Sequence, residues 1–312
     1  MTERDRAAGC ILGLALGDAL GAPFEFMRSH EIPRPLPVLA EKWMGLPPGT
    51  TTDDTAMAMN LVDSLVSVGR LDTRDLAARH VAWFRGGPPD VGTQTARVLA
   101  RVSEGAVAEE AAETLWRVRG PEISAGNGSV MYCAPLGVAY ARRPRELSRL
   151  APRLSAVTHF DGRCKTAVLA VTEAVGALVR GSDRRAAVIS ALEAAADLEG
   201  GEELEFLVEE VGRSRPIDGP DQGFCLFAAA AGLQALGRED AFEQALVRVV
   251  GLGGDTDTNG AVAGALVGAA AGRDGLPASW AERLADGDAI ERRAAALGDL
   301  AAQMPPEQPL PT

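Results

Sequence analysis

Two segments of this chain carry a glycine at every fourth position. The first set is Gly9, Gly13, Gly17 and Gly21, and the second is Gly260, Gly264, Gly268 and Gly272. Residues four apart share one face of a helix, so each set forms a smooth stripe that another backbone can approach closely. Because each glycine costs a helix about 1 kcal/mol relative to alanine, close packing must offset the cost. The sequence therefore predicts two tightly packed interior helices.

The rest of the chain is also helical in pattern. Apolar residues recur mostly at i, i+3 and i+4, convincing strands are absent, and aromatic residues make up only 4% of the chain, which favours closely packed helices. Helices are predicted at 3–22, 53–68, 73–84, 92–103, 106–116, 129–140, 146–157, 162–180, 184–195, 202–211, 222–236, 240–249, 257–271, 278–284 and 288–303. We predict one all-α domain over residues 1–304, with a disordered proline-rich tail over 305–312.

Composition narrows the class of protein. The net charge of −12 repels phosphate backbones, so we expect no general nucleic-acid binding, although a small anionic ligand stays open. The four cysteines form no CxxC pair, as expected for reduced, buried thiols. The amino terminus lacks the pattern of a signal peptide. The longest apolar stretches, about 11 to 13 residues, are too short to cross a membrane. We expect a cytoplasmic protein that does not enter membranes.

Two predicted helices begin with crowded acidic residues. TTDDT contributes Asp53 and Asp54, and DTDTN contributes Asp255 and Asp257. The simplest interpretation is helix capping, in which threonine or aspartate caps the helix and the acids favour its dipole. One cap would suffice, however, and clustered carboxylates repel unless a cation neutralises them. An all-oxygen donor set favours Mg²⁺, Mn²⁺ or Ca²⁺, and four carboxylates suit two ions about 3.5–4 Å apart.

Other polar positions have both a structural and a functional interpretation. Glu25 follows the first glycine-rich helix and is either a solvated loop residue or a ligand-facing acid. Asp90 is either the cap of the helix predicted at 92–103 or a partner for a cation. The loop Gly126–Ser129 is either a simple turn or a cradle of backbone N–H groups for a diphosphate or ribose. His159 alone is more typical of a hydrogen-bonded structural histidine.

Taken in order, five segments are specific in combination. GCILGLALGDALGAPFEF, TTDDTAMAMNL, GNGSVMYCAPLGV, THFD and GGDTDTNGAVAGALVGAAAG follow one another along the chain. Their order and content resemble the ADP-ribosylglycohydrolase family of the dinitrogenase-reductase-activating type, over about residues 5 to 284. The resemblance implies an all-α orthogonal bundle with a cleft that holds two Mg²⁺ or Mn²⁺ ions. The implied metal ligands are Thr52, Asp53, Asp54, Asp255, Asp257 and Thr258.

The resemblance also assigns the remaining site residues. Glu25, Asp54 and Asp257 would take part in catalysis, with the choice of general base left open. The implied ADP-ribose contacts are Gly126, Asn127, Gly128, Ser129 and His159. The segment PPDVGTQT resembles the family pattern DIGxTT, in which an aspartate faces the guanidinium of a modified arginine. Asp90 would fill that role, with Gly92 and Thr93 alongside.

One departure from the family pattern concerns Tyr132, which stands where many relatives carry an arginine after GNGxxM. The implied activity is hydrolysis of the glycosidic bond between ADP-ribose and an acceptor, first of all an arginine of a protein. Alternatives are serine-linked, nucleic-acid-linked or metabolite-linked ADP-ribose, and a non-catalytic ADP-ribose-binding or structural member of the family. A two-metal phosphohydrolase has little support, because a chain with only three histidines has no histidine-rich ligand set.

Overall fold

Fifteen α-helices account for most of the computed structural model, which describes residues 1–307. They are α1 (Glu3–Gly21), α2 (Asp53–Val68), α3 (Thr73–Arg85), α4 (Thr93–Ser103), α5 (Ala108–Arg119), α6 (Ala134–Ala139), α7 (Pro144–Ser155), α8 (Gly162–Arg180), α9 (Arg184–Ala195), α10 (Gly201–Glu210), α11 (Cys225–Gly237), α12 (Phe242–Val250), α13 (Thr256–Ala271), α14 (Ala278–Ala281) and α15 (Gly287–Gln303). Within these residues extended backbone pairs only at isolated bridges. The all-α prediction is confirmed.

The two glycine stripes face each other. Helices α1 and α13 run antiparallel, so that Gly13 lies against the backbone of Gly264 and Gly17 against that of Gly260. A methyl group on Gly17 would overlap the carbonyl oxygen of Gly260, which is why larger residues are excluded. The close approach brings the end of α1 and the beginning of α13 to the same place. There, the hydroxyl of Thr256 donates a 2.8 Å hydrogen bond to the carbonyl oxygen of Gly21.

Helix α1 lies at the centre of the bundle, in contact with α2, α6, α8, α13 and α15. Together with the following turn, at Glu3–Phe24, it has the length and composition of a membrane-spanning helix. The expectation that every apolar stretch is too short to cross a membrane is therefore wrong for this segment. Most of its apolar window is buried inside the fold, as in the core helix of a soluble protein.

The predicted helix at 129–140 is shorter in the structure. Residues 129–132 form turns, and α6 begins only at Ala134. Pro135 explains the difference, because it has no N–H to donate and its ring would clash with the carbonyl four residues earlier. The effect is to leave the chain around Gly128 in an open turn.

The last described residue, Glu307, is hydrogen-bonded to the beginning of α7. Oε1 of Glu307 accepts a 2.8 Å hydrogen bond from the backbone N–H of Glu146, in the first turn of α7. This contact satisfies one of the free N–H groups at that helix end. Residues 308–312 of the predicted disordered tail lie outside the described residues. All four cysteines are free and buried, as predicted.

Candidate active site

Acidic residues from four chain segments, one of them the segment of Asp90, line one cleft of about 310 Å³. Asp53 and Asp54 are the first two residues of α2. Asp255 and Asp257 lie at the beginning of α13, and Glu25 follows the short 3₁₀ helix Ala22–Phe24 after α1. The sequence therefore correctly predicts that these residues lie together, although Glu25 and Asp257 are 232 positions apart along the chain.

A buried aspartate of α1 fixes the start of α2. The carboxylate of Asp18 accepts hydrogen bonds from the backbone N–H groups of Thr52, at 3.0 Å, and Thr55, at 3.1 Å, and from the hydroxyl of Thr55. The Thr52 hydroxyl caps the helix by accepting from the backbone N–H of Asp54 at 3.2 Å. The beginning of α2 is therefore capped as predicted, but by Thr52 and Asp18. The carboxylates of Asp53 and Asp54 remain free for another role.

The beginning of α13 differs from the capping interpretation. Asp255 occupies the N-cap position, yet its side chain makes no capping hydrogen bond. Instead, its Oδ2 accepts a 2.9 Å hydrogen bond from the side-chain amide of Asn127. Thr256 is the first residue of the helix and does not occupy the N-cap position, and its hydroxyl donates to the carbonyl oxygen of Gly21. A neighbouring segment therefore orients Asp255, whereas Oδ1 of Asp257 accepts a 2.9 Å hydrogen bond from the backbone N–H of Thr258 in the same helix.

The carboxylates form one cluster. One oxygen from each of Glu25, Asp255 and Asp257 lies within 4.8 Å of the others. The hydroxyl of Thr258 lies 3.4 Å from Oδ1 of Asp54, which connects the mouths of α13 and α2. The second oxygen of Asp54 is buried with no hydrogen-bond partner among the described residues.

Burial makes this cluster electrostatically costly. Burial raises the pKa of Glu25 to about 8, and the nearby Asp255 carboxylate adds to the effect. Burial, together with Asp90, raises the pKa of Asp53 to about 8. The pKa values of Asp54 and Asp257 also lie well above their usual range, because both are fully buried among other acids. No lysine or arginine lines the described part of the cleft to balance them.

These properties fit a metal centre. The donors are carboxylate and hydroxyl oxygens, which Mg²⁺ and Mn²⁺ prefer. A cation bound in the cluster would coordinate the unpartnered oxygen of Asp54 and balance the uncompensated charge. The cluster can therefore bind metal.

The opposite wall is built by the Gly126–Gly128 turn and His159. Backbone hydrogen bonds from Asn127 N–H to the carbonyl oxygen of Gly223, at 3.0 Å, and from Cys225 N–H to that of Ala125, at 2.9 Å, hold the turn. Gly126, Asn127, Gly128 and His159 line the cleft as predicted. The predicted ligand contact Ser129 does not, because it is fully buried and its hydroxyl pairs with that of Ser155 at 3.0 Å.

The rim of the cleft contains the segment that begins with Asp90. Helix α4 has Gly92 at its N-cap position with no side-chain cap, so Asp90 is not the cap of this helix. The Asp90 carboxylate instead lies near Asp53 and helps to raise the pKa of Asp53. The backbone N–H of Gly92 donates to Oδ2 of Asp53 at 3.3 Å, and Thr93 lines the same wall.

Some functional positions carry no signal in the sequence. Phe26 and Met131 line the cleft without belonging to any polar motif. Asp18 is the exception, because an acid within an apolar glycine-rich helix is itself a sign of a structural role. The bond between Asn127 and Asp255 joins residues 128 positions apart and could not be read from local pattern.

Comparisons with known proteins agree with this geometry. A family model described as ADP-ribosylglycohydrolase matches residues 1–308. The ADP-ribosyl-[dinitrogen reductase] glycohydrolase of Rhodospirillum rubrum is 32% identical, with 90% of each chain covered. The ADP-ribosylarginine hydrolase Tri1 of Pseudomonas putida (strain GB-1) is 28% identical, over 96% of this chain and 80% of the relative.

A solved structure is similar over nearly its whole length. It is titled an ADP-ribosylglycohydrolase-related protein complex, and it superposes with a TM-score of 0.81 at 33% identity, covering 96% of this chain and 99% of the other. The fold, the acidic cleft and the match of the family model over the full described length lead to one conclusion. The chain is a glycohydrolase that belongs to the ADP-ribosylglycohydrolase family.

Proposed function

We propose that this enzyme is a Mg²⁺-dependent hydrolase that cleaves the bond between ADP-ribose and an arginine side chain of a modified protein. The observation that carries the proposal is the buried carboxylate cluster of Glu25, Asp53, Asp54, Asp255 and Asp257, which lies in one cleft opposite a glycine turn. Such a cluster can bind cations that coordinate the hydroxyl groups of the ribose, and the glycine turn leaves room for the phosphates of ADP-ribose.

Two Mg²⁺ ions, or Mn²⁺, are the proposed cofactors. Their ligands would be Asp53, Asp54, Asp255 and Asp257, together with the hydroxyls of Thr52 and Thr258. The Thr52 hydroxyl keeps an acceptor lone pair while it caps α2. When bound, the cations supply Lewis-acid activation of water and a counter-charge for the acids.

Glu25 is the residue we assign to proton transfer. It is half-buried, and no protein group in the described chain donates a hydrogen bond to its carboxylate. In the reaction a water attacks the anomeric carbon of the ribose while the bond to the guanidinium nitrogen breaks. Glu25 would take the proton from that water and pass it to the departing guanidinium nitrogen, so that free ADP-ribose and arginine form and Glu25 returns to its starting state. The oxocarbenium character expected at the sugar would be stabilised by the surrounding negative charge.

Asp90 supports arginine as the acceptor. It lies at the rim beside Asp53, where a carboxylate can accept two parallel N–H bonds from a guanidinium. The similarity to a protein named as an ADP-ribosylarginine hydrolase points in the same direction. A serine-linked substrate would offer no such cation to this carboxylate.

A second cavity suits the far end of ADP-ribose. It has a volume of about 530 Å³ and shares Gly126 with the acidic cleft. Its wall includes Phe224, whose ring lies 5.5 Å from the guanidinium carbon of Arg163. An aromatic face and a nearby cation suit a base and a diphosphate respectively. We assign this cavity to the adenosine end of the substrate.

The test is the release of free ADP-ribose from peptides that carry it on arginine or on serine. We expect release from the arginine peptide with Mg²⁺, its loss in EDTA, and its loss in Asp257→Asn at unchanged thermal stability. Asp90→Asn should raise KM for the arginine peptide and leave any serine activity unchanged.

Other outcomes distinguish the alternatives. Faster release from the serine peptide would overturn the arginine assignment and keep the hydrolase. No release from either peptide, with ADP-ribose still bound, would point to a nucleic-acid-linked or metabolite-linked substrate. An enzyme that neither binds nor releases ADP-ribose with Mg²⁺ present would contradict the whole proposal.

A further inference from the structure

The hydroxyl of a buried tyrosine is connected to the cleft through two neighbours. Tyr132 is fully buried, and its Oη lies 3.3 Å from Oγ1 of Thr158, its one hydrogen-bond partner in residues 1–307. Oγ1 of Thr158 lies 2.9 Å from Nδ1 of His159. The three groups form a chain that ends at an imidazole lining the cleft.

Which group donates and which accepts in these hydrogen bonds follows from the protons that each group carries. A buried phenol must donate its single proton, since an unsatisfied buried donor destabilises the fold. His80 packs against Tyr132 with ring centroids 5.2 Å apart, but no hydrogen bond joins the two side chains, and Nδ1 of His80 lies 3.2 Å from the side-chain amide nitrogen of Asn60. Thr158 is thus the one acceptor for the phenol among the described residues. Tyr132 therefore donates to Thr158.

The direction of the first hydrogen bond fixes the direction of the second, between Thr158 and His159. Because Tyr132 already donates to it, the buried hydroxyl of Thr158 has one acceptor left among the described residues, Nδ1 of His159, and it donates its own proton there. Burial lowers the pKa of His159 to about 4, so the ring is neutral and carries one proton. That proton must lie on Nε2, the nitrogen that faces Gly126 and Gly128. The missing Cβ atoms of these glycines leave space for the ring and for a ligand atom beside it.

We propose that Tyr132 is a positioning residue which, acting through Thr158, fixes His159 in the tautomer that presents an Nε2–H donor to an oxygen of bound ADP-ribose. The identity of the ligand rests on the proposed function, whereas the tautomer does not. With its cleft-facing nitrogen protonated, His159 cannot accept a proton from water or substrate. It binds an oxygen and leaves proton transfer to the carboxylates.

The experiment measures the ring nitrogens directly. Protein labelled with ¹⁵N-histidine is studied by long-range ¹H–¹⁵N correlation spectra, which distinguish protonated from unprotonated nitrogens. The chain has only His30, His80 and His159, so His30→Gln and His159→Gln assign every signal. We expect the Nε2–H form of His159 in the wild type and a mixture of tautomers in Tyr132→Phe. The Kd for ADP-ribose should rise about threefold to tenfold, the effect of one weakened hydrogen bond.

Matched variants separate positioning from packing. Tyr140→Phe also removes the hydroxyl of a buried tyrosine, but one that accepts from the backbone N–H of Leu71 at 3.0 Å, and it should leave the His159 spectrum and the Kd unchanged. Thr158→Val should reproduce the effect of Tyr132→Phe, and Thr158→Ser should keep wild-type behaviour. This pair replaces Tyr132→Phe if that variant does not fold.

Two results would overturn the inference. One is a proton on Nδ1 of His159 in the wild type, and the other is an unchanged tautomer and Kd in both Tyr132→Phe and Thr158→Val. Failure of the proposed function looks different. A wild type that does not bind ADP-ribose, but whose His159 tautomer shifts in Tyr132→Phe, would support the positioning role and contradict the ligand.

Discussion

The side-chain amide of Asn127 donates a 2.9 Å hydrogen bond to Oδ2 of Asp255, and this bond joins the glycine turn to the beginning of α13. It orients a carboxylate of the acidic cluster from the wall that we assign to ADP-ribose. Asn127 therefore connects the proposed metal centre with the proposed ligand loop, although it is not itself one of the proposed metal ligands.

Asn127→Ala should weaken Mg²⁺ binding about tenfold to a hundredfold, as is typical when a partner that orients a metal ligand is removed. The Asp255 carboxylate would then be free to rotate away from the cluster. Isothermal titration with Mg²⁺ measures the change, and saturating Mg²⁺ should restore most of the activity. Gln94→Ala serves as the control, because its amide lines the same cleft but donates to the carbonyl oxygen of Thr158 at 3.4 Å. An unchanged Mg²⁺ affinity in a folded Asn127→Ala would argue against the orienting role.

Metal removal should change how stability depends on pH. In the metal-free protein the pKa values of Glu25 and Asp53 are about 8, against about 4 in an unfolded chain. Between these values the folded state holds protons that the unfolded state has lost. The contribution of these groups to stability is therefore present at low pH and is lost as pH rises through about 8. We expect the Tm of the EDTA-treated enzyme to fall from pH 5 to pH 8.

The effect of Mg²⁺ should run in the opposite direction. Cations compete with protons for the same carboxylates, so Mg²⁺ should bind more tightly as pH rises. At about 100 times its Kd, Mg²⁺ should add about 2.7 kcal/mol to the free energy of unfolding. Differential scanning fluorimetry with Mg²⁺ and with EDTA at each pH measures both trends. A Mg²⁺-induced rise in Tm that is larger at pH 5 than at pH 8 would contradict the assignment of these acids as the metal site.

Gly17→Ala should destabilise the protein by about 3 kcal/mol or more, since its methyl group meets a carbonyl oxygen that cannot move without separating the two helices. The matched control is Gly237→Ala in α11, where an added methyl would have Val188 as its nearest neighbour, 3.9 Å away. That variant should be neutral or more stable by about 0.5–1 kcal/mol. Urea unfolding compares the two. Equal effects would mean that helix propensity, and not the contact between α1 and α13, governs these glycines.

The sequence was informative where a local pattern has one structural outcome. The glycine spacing required a close partner for each helix, and the smooth faces of α1 and α13 fit each other. Paired aspartates at two helix starts likewise indicated a shared acidic site, and the four aspartates do line one cleft. Local sequence patterns gave wrong predictions at positions where the residue type suits two different roles. Asp255 looked like a cap, yet its oxygen is taken by Asn127, and Ser129 looked like a ligand contact, yet Ser155 holds it in the interior.

Phe26 is the last position at which a specific effect is expected. Its backbone has a φ of 63°, which is unfavourable for a residue with a Cβ, and its N–H donates to the carbonyl oxygen of Gly254 at 2.7 Å. The ring is 58% exposed at the rim of the cleft. Neither the unfavourable φ nor the exposed ring stabilises the fold, and this favours a role for Phe26 in binding substrate.

Phe26→Gly should therefore raise the free energy of unfolding by about 0.5–1 kcal/mol, because glycine adopts this φ without strain. Both Phe26→Gly and Phe26→Ala should raise KM for an ADP-ribosylated peptide and change kcat less, since the ring covers substrate without touching the reacting atoms. The control is Phe206→Ala on α10, where the ring is 59% exposed and does not line the cleft. Urea unfolding and steady-state kinetics of the three variants measure both effects. If Phe26→Gly lost stability, the ring would be packing against the fold; if KM stayed constant, the rim would not be in contact with substrate.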